Sequence, residues 1–311
     1  MTHQTNINPD AQTISSQFVE ITSDEPVNNS GPSHSLRLHY LTAGTGPVLL
    51  LLHGWPTSSH LWRNVMPHLA KGNTVIALDL PGFGQSDKPT NIKYSFRFYN
   101  SVLNKFLAAI QAQEVGLVVH DLGGPIGLHW ATENPSKVNH LTLLNTLVYP
   151  KPSWAVLAFV LALKTPGLRS WLTSSTGLAW AMRIGVENKQ GLTQEVLRPY
   201  QSPFDTKLNR AALIASSLSL SPKGIAKAAK RLPQLHIPIR LIYGKNDRIL
   251  PDIAKTMTRL KQELPHAELT CLDNCGHFLQ EDKPEEVGTL IADFIATIKQ
   301  KESNDDERQS F

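Results

Sequence analysis

Short, dense apolar runs recur along this chain: Pro47–Leu52, Thr74–Leu80, Gly116–His120, Val138–Asn145 and Ile239–Tyr243. A strand with one wet face alternates polar and apolar residues, whereas these runs read as strands covered on both faces. Segments with helical periodicity separate them, at His60–Ala70, Phe96–Gln113, Pro125–Glu133, Pro251–Glu263 and Pro284–Ile298. Strands alternating with helices predict a mostly parallel sheet with helices on both faces. Phe18–Ile21 and Leu36–Thr42 add an antiparallel pair joined by a polar loop holding Asn28, Asn29 and Gly31, and Glu268–Leu272 is a last strand. The sheet is therefore expected to have eight strands.

One region breaks the alternation. From Thr146 to Leu235 the sequence is helical in character with no convincing strand, and it carries Tyr149, Trp154, Trp171, Trp180 and Tyr200. A helical insertion after the sixth strand reads as a cap over the carboxyl ends of the strands, where open α/β sheets bind ligands. The expected division is a core of 17–145 and 236–299, a helical cap of 146–235, and disordered polar tails at 1–16 and 300–311. Within the cap, the run Trp154–Leu163 is too short to span a bilayer, which takes about 20 residues.

Composition narrows the function classes. Of 311 residues, 41% are apolar and 18% charged, as in ordinary globular proteins. The formal charge of +4 is small, reads as scattered, and predicts neither a nucleic-acid nor a membrane partner. Two cysteines, Cys271 and Cys275, are too few for a disulfide framework or a four-ligand zinc site. The N-terminus lacks the basic start and apolar core of a secretory signal, so the expectation is a cytoplasmic protein.

Four segments carry chemistry. In Val118-Val119-His120-Asp121-Leu122-Gly123-Gly124-Pro125 a strand runs into a tight turn and a helix, which projects Asp121 above the sheet. No G-x-S-x-G occurs, so no serine competes for that position. A bland alternative is that Asp121 only caps the helix. Leu52-His53-Gly54-Trp55-Pro56 follows a strand directly. Asp247 lies just past the strand Ile239–Tyr243, and His277 past Glu268–Leu272, in Cys275-Gly276-His277-Phe278. His53 and His120 read as structural.

With these segments the chain resembles the α/β-hydrolases, and within them the haloalkane dehalogenase and epoxide hydrolase branch. The likeness runs from Leu36 to Ile298 and rests on HGWPTSSHLWRNV, VIALDLPGFGQSDKP, VVHDLGGPIGLHWA, YGKNDRILP and CGHFLQEDKPEEV. It implies the α/β-hydrolase fold, with Asp121, Asp247 and His277 in the chain order nucleophile, acid, base. It also implies that the backbone N–H groups of Trp55 and Leu122 form an oxyanion hole. Val119 and the cap segments Leu192–Tyr200 and Pro203-Phe204 look like the dehalogenases. Leu122 stands where those enzymes carry a halide-gripping Trp, and Trp55 where they carry Asn or Glu; an aromatic there looks more like the epoxide hydrolases, which also need two cap tyrosines.

The resemblance implies two-step catalysis without metal or organic cofactor, on a small apolar substrate with water as co-substrate. Asp121 forms an alkyl ester, and His277, oriented by Asp247, activates water to hydrolyse it. The pocket is expected to involve Trp55, Tyr149, Trp154, Tyr200, Phe204 and Phe278. Four readings stay open: a haloalkane dehalogenase-like hydrolase, an epoxide hydrolase, a β-lactone-acting enzyme or cofactor-free oxygenase on this scaffold, and a non-catalytic binding protein.

Overall fold

A computed structural model describes residues 13–23 and 34–309. All eight expected strands are present: β1 (Ser15–Ser23), β2 (His34–Ala43), β3 (Val48–Leu52), β4 (Thr74–Leu78), β5 (Val115–Asp121), β6 (Val138–Thr146), β7 (Ile239–Gly244) and β8 (Glu268–Leu272). They form one sheet in the order β1-β2-β4-β3-β5-β6-β7-β8. The pairs β1·β2 and β2·β4 are antiparallel and the rest parallel. The helices are α1 (Met66–Leu69), α2 (Phe96–Ala109), α3 (Gly123–Glu133), α4 (Trp154–Lys164), α5 (Pro166–Leu172), α6 (Ser175–Gly185), α7 (Gln194–Gln201), α8 (Lys207–Leu218), α9 (Pro222–Arg231), α10 (Ile253–Glu263), α11 (Leu279–Asp282) and α12 (Pro284–Gln309).

The central strands β3 and β5 have no polar face because both faces are packed. Leu50 and Leu52 of β3, with Leu117 and Val119 of β5, join Phe98, Ile126 and Trp130 in one core. Leu49 and Leu51, with Val118, join Trp62, Met66, Val287 and Ile291 in the other. Successive residues of a strand thus serve opposite layers. Burying each such leucine contributes about 1.5–3 kcal/mol.

Several expectations need correction. The helix expected at His60–Ala70 is a 3-10 turn, Ser59–Trp62, followed by the single turn of α1. Pro67 lacks the N–H a continuous helix would use and its ring would clash with the preceding turn. At the C-terminus, the tail expected to be disordered from 300 continues α12 to Gln309. Polarity alone is a poor sign of disorder where Lys, Glu, Gln and Arg, all good helix formers, dominate. At the other end, Ser15 and Ser16 belong to β1 and pair with Thr42 and Leu41. Asn28, Asn29 and Gly31, and residues 1–12, lie outside the described residues.

Between β6 and β7 the described chain is helical throughout, from α4 to α9. Serine and threonine start most of these helices: the hydroxyls of Ser153, Ser174, Thr193, Thr206 and Ser221 each accept a backbone N–H of the first turn.

Candidate active site

The sheet topology gathers the chemistry. Strands β3, β5, β6, β7 and β8 are parallel neighbours, so the loops after them emerge at one edge. The ends of those strands carry Asp121 and Asn145, and the loops after them Trp55, Asp247 and His277.

Asp121 sits at the end of β5 with φ +49. A left-handed backbone at a non-glycine residue costs about 1–2 kcal/mol, and the surroundings hold it there. Thr146 Oγ1 donates to the Asp121 carbonyl at 2.6 Å, and the Trp55 N–H donates to Asp121 Oδ1 at 2.7 Å. The Leu122 N–H favours the charged carboxylate as well. Two glycines are needed for this closeness. A Cβ on Gly54 would lie 2.2 Å from Asp121 Oδ1, and one on Gly124 would lie 1.5 Å from Thr146 Oγ1.

His277 is fully buried. Its Nδ1 donates to Asp247 Oδ2 at 2.8 Å, which leaves Nε2 facing Asp121 Oδ2 at 3.4 Å. That Nε2 is buried and makes no hydrogen bond among the described residues. Asp247 is held in turn: its Oδ1 accepts the N–H groups of Ile249 and Leu250 at 2.8 and 2.7 Å. Asn145 ties three strand ends together. Its Nδ2 donates to Asp247 Oδ2 at 2.7 Å and to the Gly276 carbonyl at 3.2 Å, and its Oδ1 accepts the Gly244 N–H at 2.9 Å.

Electrostatics follow from these contacts. Burial would lower the His277 pKa, but the adjacent carboxylates of Asp247 and Asp121 outweigh it and raise it to about 10. Burial would raise the Asp121 carboxyl; His277, 3.4 Å away, with smaller help from His120 and the Leu122 N–H, holds it below the usual carboxylate range. His120 is driven down to about 3 by burial and by the charge of His277. Its Nε2 donates to the His277 carbonyl at 2.9 Å, a backbone-fixing contact. His53 is likewise a strut: Nδ1 donates to the Gly54 carbonyl and Nε2 accepts the Leu80 N–H.

A cavity of about 520 Å³ opens above Asp121 and Leu122. Trp55, Leu147, Phe159, Leu172, Trp180 and Ile249 are among its walls, with Trp154 and Trp171 toward the outside. The Trp55 and Phe159 rings meet edge-on, centroids 4.7 Å apart. Trp55 Nε1 is buried without a hydrogen-bond partner among the described residues. Polar groups in the wall are few, which suits a small apolar ligand.

The structure thus brings Asp121, His277, Asp247, Trp55, Leu122 and Trp154 together. It does not bring Tyr149, Tyr200, Phe204 and Phe278 to the cavity. Tyr149 turns outward, its hydroxyl donating to Glu263 at 2.8 Å and its ring lying under Arg259. The Tyr200 hydroxyl donates to Glu281, which also pairs with Arg63. Phe204 is buried in the core, and Phe278 packs behind the His277 ring. In each case a hydroxyl found a charged partner, or a phenyl ring found the core, on the side away from Asp121. Conversely, Phe159, Leu147 and Ile249 were not foreseen as lining residues. Helical periodicity within α4 is uninformative because nearly every residue is apolar, so nothing distinguished Phe159 beforehand. Among the described residues no group of three or more His, Cys, Asp or Glu side chains converges to hold a metal ion.

Comparison with known proteins agrees with this fold. The profile of the α/β-hydrolase fold family matches residues 47–284. A cis-3-alkyl-4-alkyloxetan-2-one decarboxylase of Shewanella oneidensis is 28% identical over 83% of this chain and 85% of its own. A soluble epoxide hydrolase of a Corynebacterium species is 28% identical over 89% of this chain and 100% of its own. The solved structure of a haloalkane dehalogenase from Bradyrhizobium elkani superposes with a TM-score of 0.77, at 25% identity, over 92% of this chain and 100% of that one.

Proposed function

Because the chain belongs to the α/β-hydrolase family, in its haloalkane dehalogenase and epoxide hydrolase branch, we propose that it is a hydrolase in which Asp121 attacks a small apolar substrate at carbon. One observation carries this reading. The Asp121 carboxylate has one oxygen held by the backbone N–H of Trp55 and the other facing a histidine nitrogen with no partner among the described residues. Oδ1 occupies the oxyanion position, so Oδ2 is the attacking atom. In the first step the Oδ2–carbon bond forms and the carbon–leaving-group bond breaks, giving an alkyl ester and an anion. In the second, His277 takes a proton from water, which adds to the ester carbonyl, and the N–H groups of Trp55 and Leu122 stabilise the oxyanion. Collapse of that intermediate releases an alcohol and regenerates the carboxylate.

The two steps are coupled through charge. Before the first, Asp121 is an anion and helps to hold His277 protonated. Ester formation removes that negative charge, which lowers the His277 pKa toward the neutral form a general base needs. Asp247 fixes the proton on Nδ1 and stabilises the imidazolium as it forms.

Within the branch, the cavity favours a halogenated alkane over an epoxide. No tyrosine lines it among the described residues, so the paired hydroxyls an epoxide oxygen would need are missing. Leu122 offers no side-chain donor for a halide, but the buried, unpartnered indole N–H of Trp55 is available as one. A second reading, opening of a strained β-lactone at the same carboxylate, is favoured by the similarity to the oxetanone decarboxylase and by the apolar walls. The deciding experiment uses His277→Gln, which cannot activate water. Incubated with 1-bromoalkanes, it is expected to retain an adduct on Asp121 whose mass equals the alkyl group. An adduct formed from a 3,4-dialkyl-β-lactone and not from bromoalkanes would replace the first reading by the second. A diol formed from epoxides by the wild-type protein, with neither adduct in the variant, would remove both.

A further inference from the structure

The helices over the cavity are dressed for an environment other than water. Ten of the eleven residues of α4 are apolar, yet only Leu163 is buried. Trp154 is 72% exposed, Leu161 65% and Leu157 56%. Leu168 and Trp171 of α5 and Trp180 of α6 are exposed as well, and the two indoles meet edge-on at 5.2 Å. Trp154, Leu168, Trp171 and Trp180 also line the catalytic cavity, so its mouth lies within the apolar surface. Scattered exposed leucines need no explanation, but a contiguous set of this kind marks an interaction face.

Charge identifies the partner. The whole-chain excess of +4 is not scattered, contrary to the expectation from composition. Residues 146–235 hold twelve Lys or Arg against three Asp or Glu, and the remainder of the chain is net acidic. From Thr146 to Val186, the stretch that forms the apolar face, there are four basic residues (Lys151, Lys164, Arg169, Arg183) and no acidic one. All four are exposed. Exposed tryptophan and leucine in one stretch with exposed lysine and arginine match the boundary between acyl chains and anionic headgroups. A second copy of the chain fits less well, because a two-fold contact through this face would set the same basic residues against each other.

We infer that the α4–α6 face docks onto anionic lipid bilayers, lying in the interface rather than crossing it. No single described helix is long and apolar enough to cross a membrane, and α4 and α5 bend by 106° at their junction. The mouth of the cavity then faces the acyl region, so an apolar substrate partitions from the bilayer to Asp121 without passing through water. This last consequence rests on the proposed hydrolase activity. The binding itself does not, and its test uses no turnover.

The test is flotation of the full chain with vesicles of phosphatidylcholine alone and of phosphatidylcholine with 25% phosphatidylglycerol. Binding is expected to the second at 0.1 M salt, to fall at least fivefold at 0.5 M salt, and to be weak to the first. Binding should shift tryptophan emission to the blue. The double variant L157S/L161S changes two exposed residues that do not line the cavity. It is expected to keep the wild-type melting temperature and to lose at least tenfold in vesicle affinity. Wild-type protein that stays with the soluble fraction at 0.1 M salt overturns the inference. So does binding that the double variant retains in full. A lipid-free dimer that the double variant dissolves, with no vesicle binding by the wild type, assigns the face to a second copy instead.

Discussion

At the carboxyl end of the sheet, Asp247 alone accepts hydrogen bonds from His277, Asn145, Ile249 and Leu250. In the helices above it, Trp154, Leu157 and Leu161 leave most of their surface exposed. The two regions divide the requirements of a catalytic site. Charged groups taken out of water must be fully paired, because an unpaired one costs several kcal/mol, and full pairing fixes geometry. Apolar walls need only volume and dryness, which many arrangements satisfy. Chemistry is therefore expected to depend steeply on single residues of the sheet edge, and substrate preference weakly on single residues of the cover.

The sharpest test of that contrast is Asp247→Asn. The amide cannot hold the His277 imidazolium, so turnover should fall by about 10⁴-fold. The His277 pKa should drop from about 10 as one of its two carboxylates is neutralised. The sign for stability follows: a group raised above its unfolded value stabilises the fold below that value and loses the contribution as pH rises toward 10. Melting temperature between pH 7 and 10 should thus fall less steeply in the variant than in the wild type. Equal slopes, or wild-type turnover, would place the acid elsewhere.

Next in size is Trp55→Phe, which removes the indole N–H and leaves the backbone donor to Asp121 in place. If that N–H stabilises the leaving anion in the transition state, loss of a charge-assisted bond of about 1.5–3 kcal/mol slows cleavage of the carbon–leaving-group bond by roughly 10- to 200-fold. Stopped-flow halide release reads this directly, and an unchanged rate would show that the indole plays no part.

Asn145→Ala should act more mildly on rate, about tenfold, because it loosens Asp247 without removing a charge. It leaves the Gly244 N–H unpaired, which should cost about 1–3 kcal/mol in chemical denaturation. Asn145→Asp keeps the acceptor for the Gly244 N–H but has no donor for Asp247. A rate loss that it shares with Asn145→Ala would therefore mark the contact with Asp247 as the part that matters; no rate loss in either variant would make Asn145 only a tie between strands.

The smallest effect belongs to the cover. Trp180→Ala enlarges the cavity at its half-exposed margin, so KM for a short bromoalkane should rise roughly tenfold or less, with kcat nearly unchanged. A collapse of kcat here would erase the distinction between the two regions.

Much of this was legible in the chain itself. Leu49–Leu52 and Val115–Val119 had to be doubly buried strands, because a run without alternation has no face to give to water. Asp121, Asp247 and His277 stood out because each follows such a run, and parallel strands carry their loops to one edge. The short run Asp121-Leu122-Gly123-Gly124 encodes the turn itself, while the close approaches it needs, Gly54 against Asp121 and Gly124 against Thr146, come from other strand ends. Only tertiary structure decided the rest. Tyr149 and Tyr200 turned to Glu263 and Glu281, more than 80 residues away along the chain, partners that a linear reading cannot rank. Asn145 became a hub because β6 lies beside β7, which lies beside β8. The uniformly apolar α4 has no periodicity to say which side faces the cavity, and its exposure emerged only from where the sheet left it. Local sequence sets backbone geometry and burial pattern; which distant side chains meet is set by packing, where many weak contacts are summed over the whole fold.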